Sequence, residues 1–277
     1  MKFKLKSLVA VSAFVAAGFA QAETLTLFAG ETITNQGYTV SGLNGAGTLS
    51  FSQTLLDALN LGAAAVTQVD PAAVTLERNS DGVYSRIAAA APIQAVQGDF
   101  DGTTLNVLQV GTQGGAAISL LADEDGNITS GGNITIKDLR VDLVNKDVYA
   151  NIVGGNGVGV INDLKLWKID TIEGPTTFNA ADVLAAGGTV TVQNTLKGLR
   201  IYDTAFQFFA TANGLIDVFG LDALKAVNKD VDGYGSITSS ITVNIASATP
   251  AIPEPSTYAL MGLGLVGLGF LRRRAAR

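Results

Sequence analysis

Six residues come closest to a ligand-binding pattern: Asn228-Lys229-Asp230-Val231-Asp232-Gly233. Oxygen-bearing side chains at alternate positions, Asn228, Asp230 and Asp232, followed by glycine, match the first half of a calcium loop. In such a loop a tight turn points hard oxygen ligands at one cation. The twelfth position should be a bidentate glutamate and is Ser239, and the residues that follow read as a strand rather than a helix. The same six residues also read as a solvated turn between a helix and a strand. Asp123-Glu124-Asp125-Gly126-Asn127 is likewise an acidic turn before it is a metal loop. Calcium is thus a weak suggestion, and no other cofactor is expected.

The missing residue types exclude more chemistry than the present ones suggest. With no cysteine and no histidine, the chain has no thiolate nucleophile, no disulfide, no histidine-based triad and no ordinary zinc site. Haem would need a tyrosinate ligand. Serine, threonine and lysine have no recognisable activating motif around them. Carboxylate pairs for glycoside hydrolysis stay open because acids are plentiful, but that chemistry depends on their separation in space. Trp167 and the tyrosines at 38, 84, 149, 202 and 234 are expected in the core or covering its edges, rather than stacking on sugar or porphyrin faces. No catalytic constellation stands out, and an enzyme is not expected.

Charge narrows the partners. Lys2, Lys4 and Lys6 precede residue 22, and Arg272, Arg273, Arg274 and Arg277 close the chain. Removing these seven from 18 basic residues leaves eleven against 24 acids, a net charge near −13 for the middle of the chain. So acidic a body repels phosphate backbones, which disfavours nucleic acid as a partner. The lack of cysteine fits an extracytoplasmic protein stable without disulfides.

The two ends carry an address. The three lysines, the apolar run Ser7–Phe19 and the small-x-small triplet Ala20-Gln21-Ala22 form a secretory signal, with cleavage by signal peptidase expected after Ala22. At the other end, Pro253-Glu254-Pro255-Ser256-Thr257 precedes an uncharged run, Tyr258–Leu271, and then Arg272, Arg273 and Arg274. Fourteen residues of helix rise about 21 Å, short of the roughly 30 Å hydrocarbon layer. Snorkelling arginines make up part of that gap. Arginines beyond the run favour a cytoplasmic C-terminus, which agrees with a body exported through the inner membrane. Gly262-Leu263-Gly264-Leu265-Val266-Gly267 satisfies a dinucleotide fingerprint only formally, since the chain ends ten residues later without the required acid.

This order of motif, short apolar helix and arginine cluster resembles the PEP-CTERM sorting signal of Gram-negative exosortase substrates. The resemblance covers residues 253–277 and implies transient anchoring in the inner membrane. It also implies processing near the motif by an integral-membrane exosortase and delivery to the cell surface or extracellular matrix. Such proteins often accompany exopolysaccharide and biofilm production. The expected role is therefore an exported surface or matrix protein without evident catalysis, with exopolysaccharide as a partner. The alternatives are a binding module for a glycan, calcium or haem, or a carboxylate-dependent glycoside hydrolase.

The body between these ends reads as mainly β. The expected division is signal peptide 1–22, β-rich body 23–249, linker 250–252 and sorting signal 253–277. Thr24-Leu25-Thr26-Leu27 alternates, and Ile237, Ile241, Val243 and Ile245 share one face of a half-buried strand. Apolar parity switches from Ile134 and Ile136 to Leu139, Val141 and Leu143, and again from Val190 and Val192 to Leu199 and Ile201. A strand with one buried face cannot switch parity without an irregularity, which places bulges near Lys137-Asp138 and at Gly198. Capping-box spacing at Ser50–Gln53 and Thr204–Gln207 predicts short helices near 52–60 and 204–213. An alanine-rich stretch predicts a third near 179–186, and Asp217–Val227 a weaker fourth. Ala246–Ile252 lacks apolar periodicity and reads as spacer. The sum is an antiparallel β-sandwich or barrel-like body with a few short helices, plus a separate C-terminal hydrophobic helix.

Overall fold

The computed structural model of the chain describes residues 22–216 and 219–248. In chain order the first strands are β1 Glu23–Phe28, β2 Thr32–Asn35 and β3 Tyr38–Phe51, followed by helix α1 Gln53–Leu61. Next come β4 Ala65–Val69, β5 Ala73–Arg78, β6 Tyr84–Phe100, β7 Thr104–Thr112 and β8 Gly115–Leu120. Then follow β9 Gly132–Asp142, β10 Asp147–Gly154, β11 Gly159–Glu173 and β12 Thr177–Asn179. The last elements are α2 Ala180–Ala185, β13 Thr189–Ile201, α3 Asp203–Ala212, α4 Gly220–Lys229 and β14 Gly235–Ser247. The fold is mainly antiparallel β with few short helices, as expected.

The pairings close on themselves. From β7 the ladder runs through β6, β3, β14, β13, β11, β10 and β9, and β9 pairs again with β7 through Gln109–Asp142, Val110–Val141 and Gly111–Arg140. Eight antiparallel strands therefore form a ring. A ring of this size leaves an interior that side chains fill, or that holds one small ligand. The remaining strands extend its walls: β1 on β6, β2 on β3, β5 on β6, β12 on β7, and β8 with β4 outside β9.

Both parity switches mark places where a strand's pairing changes: β9 exchanges one partner for another, and β13 loses one of its two. Gly132–Lys137 of β9 pairs with β8, whereas Arg140–Asp142 pairs with β7. Between them Asp138 takes φ +55°, and its carboxylate accepts from the Gly114 N–H at 2.9 Å while its own N–H donates to the Gly114 carbonyl at 3.0 Å. In β13, pairing with β14 ends at Lys197, and Gly198 follows at φ +66°. A Cβ on Gly198 would lie 2.5 Å from an Asp170 carboxylate oxygen, so both backbone and space require glycine.

The helices stand where expected, with two corrections at their starts. Ser50 does not cap α1, because it is still paired in β3 with Ser236 and Ala88. Ser52 caps it instead, its hydroxyl accepting from the Leu55 N–H. Thr204 does not cap α3 either. The helix starts at Asp203 with Tyr202 as its N-cap, two residues before Thr204; the Tyr202 backbone N–H is bonded to the Leu166 carbonyl and its side chain makes no cap. The fourth helix runs to Lys229, two residues beyond its expected end. The spacer begins later than Ala246, since Ala246 and Ser247 pair with Thr39 and Tyr38. A ladder needs backbone groups, not apolar side chains, so periodicity underestimates where it stops.

Two apolar clusters occupy the interior. The larger, at the end carrying α1, α3 and α4, gathers Leu56, Ile87, Ile134, Val148, Leu166, Trp167, Leu199, Phe209 and Tyr234, among others. The smaller, at the other end, centres on Leu27, Leu43, Ile93 and Val110. Ala20, the linker 250–252, Pro253–Thr257, the apolar run to Leu271 and Arg272–Arg274 lie outside the described residues, and Ala22 is exposed at their edge. Among the described residues no helix is long and apolar enough to cross a membrane.

Candidate functional site

The loop that resembles half a calcium site is built around an arginine. Arg200, near the end of β13, donates through its guanidinium to the backbone carbonyls of Asn228 (3.1 Å), Asp230 and Val231 (2.8 Å). Its Nε donates to the Asp170 carboxylate at 2.9 Å. The Asn228 amide is also committed: its oxygen accepts from the Ile201 N–H at 2.8 Å, and its nitrogen donates to the Ile201 carbonyl at 3.2 Å. Asp230 accepts from the Asp232 N–H in a short turn. The three residues are thus brought together, with two carboxylates on the outside and a cation of the chain's own holding the carbonyls. Among the described residues no group of three acidic, histidine or cysteine side chains is spaced to hold a metal. Asp123 likewise serves its own loop. The N–H groups of Thr129, Asn127 and Ile128 bond its carboxylate and, led by that of Thr129, hold it below the usual carboxylate range.

The buried acids are committed as well. Asp147, 4% exposed, accepts from the Tyr202 hydroxyl and pairs with the Lys165 ammonium at 2.8 Å. The hydrogen bond to Asp147 is the main reason that Lys165 titrates above its ordinary range. Burial, and then the bond to Asp147, push the Tyr202 hydroxyl up. This corner ties the start of β10 to β11 and to the start of α3. Asp142 lies opposite Asp147 in the β9–β10 ladder. Burial pushes its carboxyl up, but the backbone N–H and side-chain amide of Asn145, the Val144 N–H and the nearby Arg140 together hold it below the usual range.

Inside the ring the side chains leave two cavities. The upper, of about 100 Å³, is walled by β3, β6, β8, β9 and the helices α1, α3 and α4, with Trp167, Phe209, Asn213 and Tyr234 in its lining. The lower, of about 130 Å³, is walled mainly by aliphatic side chains of β1, β6, β7, β13 and β14. Gly47, Thr112, Val141 and Ile237 line both and form a waist between them. Trp167 and Tyr234 are core residues, as expected, with ring centroids 6.3 Å apart. No local signal links Trp167, Asn213 and Tyr234. They come from β11, the end of α3 and the residue before β14, and β13 brings them together: Trp167 lies opposite Ile201, α3 follows directly, and the Tyr234 N–H bonds the Leu199 carbonyl at 2.8 Å.

The tail carries a different kind of information, readable without the fold. Residues 251–274 match the PEP-CTERM protein-sorting motif. The tail is a PEP-CTERM sorting signal. With it come export, transient membrane anchoring before sorting, and an exosortase as processing partner. No curated protein and no solved structure matches the chain. The PEP-CTERM match accounts for the tail alone; what the folded ring does rests on its own geometry.

Proposed function

We propose that this PEP-CTERM protein is delivered to the cell surface or extracellular matrix, in company with exopolysaccharide, and acts there through its folded body without catalysis. The observation that carries this reading is the sorting motif at the C-terminal tail of a chain whose first 22 residues read as a secretory signal. The commitment of Asp142 and Asp147 to hairpin and ion-pair duties supports a non-catalytic role, since neither is left to act as acid or base. A body near −12 over residues 23–249 favours a soluble, self-repelling surface over adhesion to nucleic acid.

The test is fractionation of the native host. Replacing Pro253, Glu254 and Pro255 together by alanine should shift most of the protein from the surface or matrix fraction to the inner membrane. An unchanged distribution would contradict exosortase sorting. Turnover of the host's own exopolysaccharide by the purified protein would contradict the non-catalytic role.

A further inference from the structure

We propose that the lower cavity binds the hydrocarbon end of a neutral amphiphile of medium chain length. An aliphatic wall obliges no particular molecule to enter, but this wall is left wet. Leu25, Val96, Val107, Val190, Val192 and Val243 all line the cavity, yet each is only half-buried. A sealed packing gap would bury them, as Leu55, Leu59 and Ile118 are buried around the upper cavity. Apolar surface that water still reaches is surface that a ligand can remove from water. The ladder also closes this end incompletely. β11 pairs with β13 only from Thr195 to Ile201, so Thr189–Asn194 has no strand on that side and packs against α2 instead. An eight-stranded ring is wide enough for one small ligand. The cavity, at about 130 Å³, admits roughly six carbons, since about 150 Å³ holds benzene.

The polar side chains of the wall ask little of the occupant. The Asn35 amide donates to Glu23 at 2.7 Å, the Asn194 amide to the Pro175 carbonyl at 3.0 Å, and the Thr112 hydroxyl to the Leu139 carbonyl at 3.4 Å. The inner part of the ligand is therefore hydrocarbon, and its head stays at the rim. Charge around the rim selects that head. The stretches that build this end, 23–44, 93–107, 174–194 and 239–248, contain Glu23, Glu31, Asp99, Asp101 and Asp182 and no lysine or arginine. Residues 217–218 and 249–257, outside the described ones, contain no lysine or arginine either. The amino group that cleavage after Ala22 creates offsets one acid of the five. An anionic head thus meets like charge and no counter-ion, whereas a hydroxyl head does not. This inference goes beyond the surface role and does not rest on it.

The exported protein, as its host processes it, is titrated calorimetrically with 1-octanol and with octanoate at neutral pH. Saturable heat with octanol is expected. Octanoate should bind about tenfold more weakly at low salt. That gap should narrow in about 0.5 M salt, because the rim charges are then screened. Two arms locate the ligand. In the wild-type protein, the methyl resonances of Val107 and Val192 should shift on octanol addition, and those of Leu55 and Ile118 should stay. Val192→Trp, which fills the lower cavity, should abolish the heat while its denaturation midpoint shows a folded body. The methyl shifts decide the location should that variant not fold. No saturable heat with octanol, or shifts confined to Leu55 and Ile118, would overturn the site. Equal binding of octanol and octanoate at low salt would overturn the selection for a neutral head.

Discussion

The two halves of the ring interior use the same strands to make different environments. The lower cavity is lined mostly by valine, leucine and isoleucine, and the asparagines at its margin are partnered: Asn35 donates to Glu23, and Asn194 to the Pro175 carbonyl. The upper cavity is also mainly aliphatic, but it is roofed by helices and lined by Trp167, Asn213 and Tyr234, each with a buried side-chain atom that has no partner among the described residues. An aliphatic interior can be a packing remainder, because it obliges nothing to enter. Unpartnered buried donors and acceptors carry a desolvation cost that aliphatic packing does not. The difference teaches that hydrogen-bond accounting separates two halves that cavity size does not, since the lower cavity is the larger.

Truncation should separate the halves most strongly. Trp167→Ala is expected to lose about 3–5 kcal/mol of stability, and Ile93→Ala in the lower half about 2 kcal/mol, both by chemical denaturation. The smaller figure reflects the smaller side chain that is removed. Equal losses would erase the contrast.

The junctions around the upper half come next. The Ser52 hydroxyl both accepts from Leu55 and donates to the Gly233 carbonyl at 2.5 Å. Ser52→Ala should therefore cost about 1–2 kcal/mol in the same assay, because one buried hydroxyl holds the start of α1 to the loop before Tyr234. Asp147→Asn leaves Lys165 and Tyr202 without their acceptor charge. Lys165 is 46% exposed and can turn to solvent, which limits the loss to about 1–2 kcal/mol.

The pH dependence sharpens the comparison further. The folded carboxyls of Asp101, Asp123 and Asp142 lie below their ordinary range. Their stabilisation is present above about pH 4 and is lost as pH falls through the folded values. At the alkaline side, burial raises Tyr234, while an unfolded tyrosine ionises near pH 10. Stability is thus fully present below about pH 10 and declines as pH rises beyond it, because only the unfolded chain releases that proton. Unfolding titrations between pH 9 and 11 should show a shallower decline in Tyr234→Phe. At neutral pH the same variant should gain about 1 kcal/mol over wild type, since it removes a buried hydroxyl that has no partner among the described residues.

The sequence was legible where information is local. Parity alone placed the irregularities at Asp138 and Gly198, because a side chain on the wrong face is visible in the residue order. Helix positions followed from apolar spacing and glycine stops. The caps did not, since whether Ser50 or Ser52 begins α1 depends on how far β3 stays paired with β14 and β6. Ring closure rests on three residue pairs between β7 and β9, and no local pattern encodes them. Trp167, Asn213 and Tyr234 became a group through β13, which pairs with β11, leads into α3 and binds the Tyr234 N–H. The tail is the opposite case. A processing enzyme reads a linear segment, so Pro253–Thr257 and Arg272–Arg274 carry their meaning in order and spacing.

The most direct measurement is the intact mass of the protein recovered outside the inner membrane of its host. Double processing predicts a chain that begins at Glu23 and lacks the hydrophobic tail beyond the Pro253-Glu254-Pro255 region. A mature exported protein that still ends at Arg277 would contradict it.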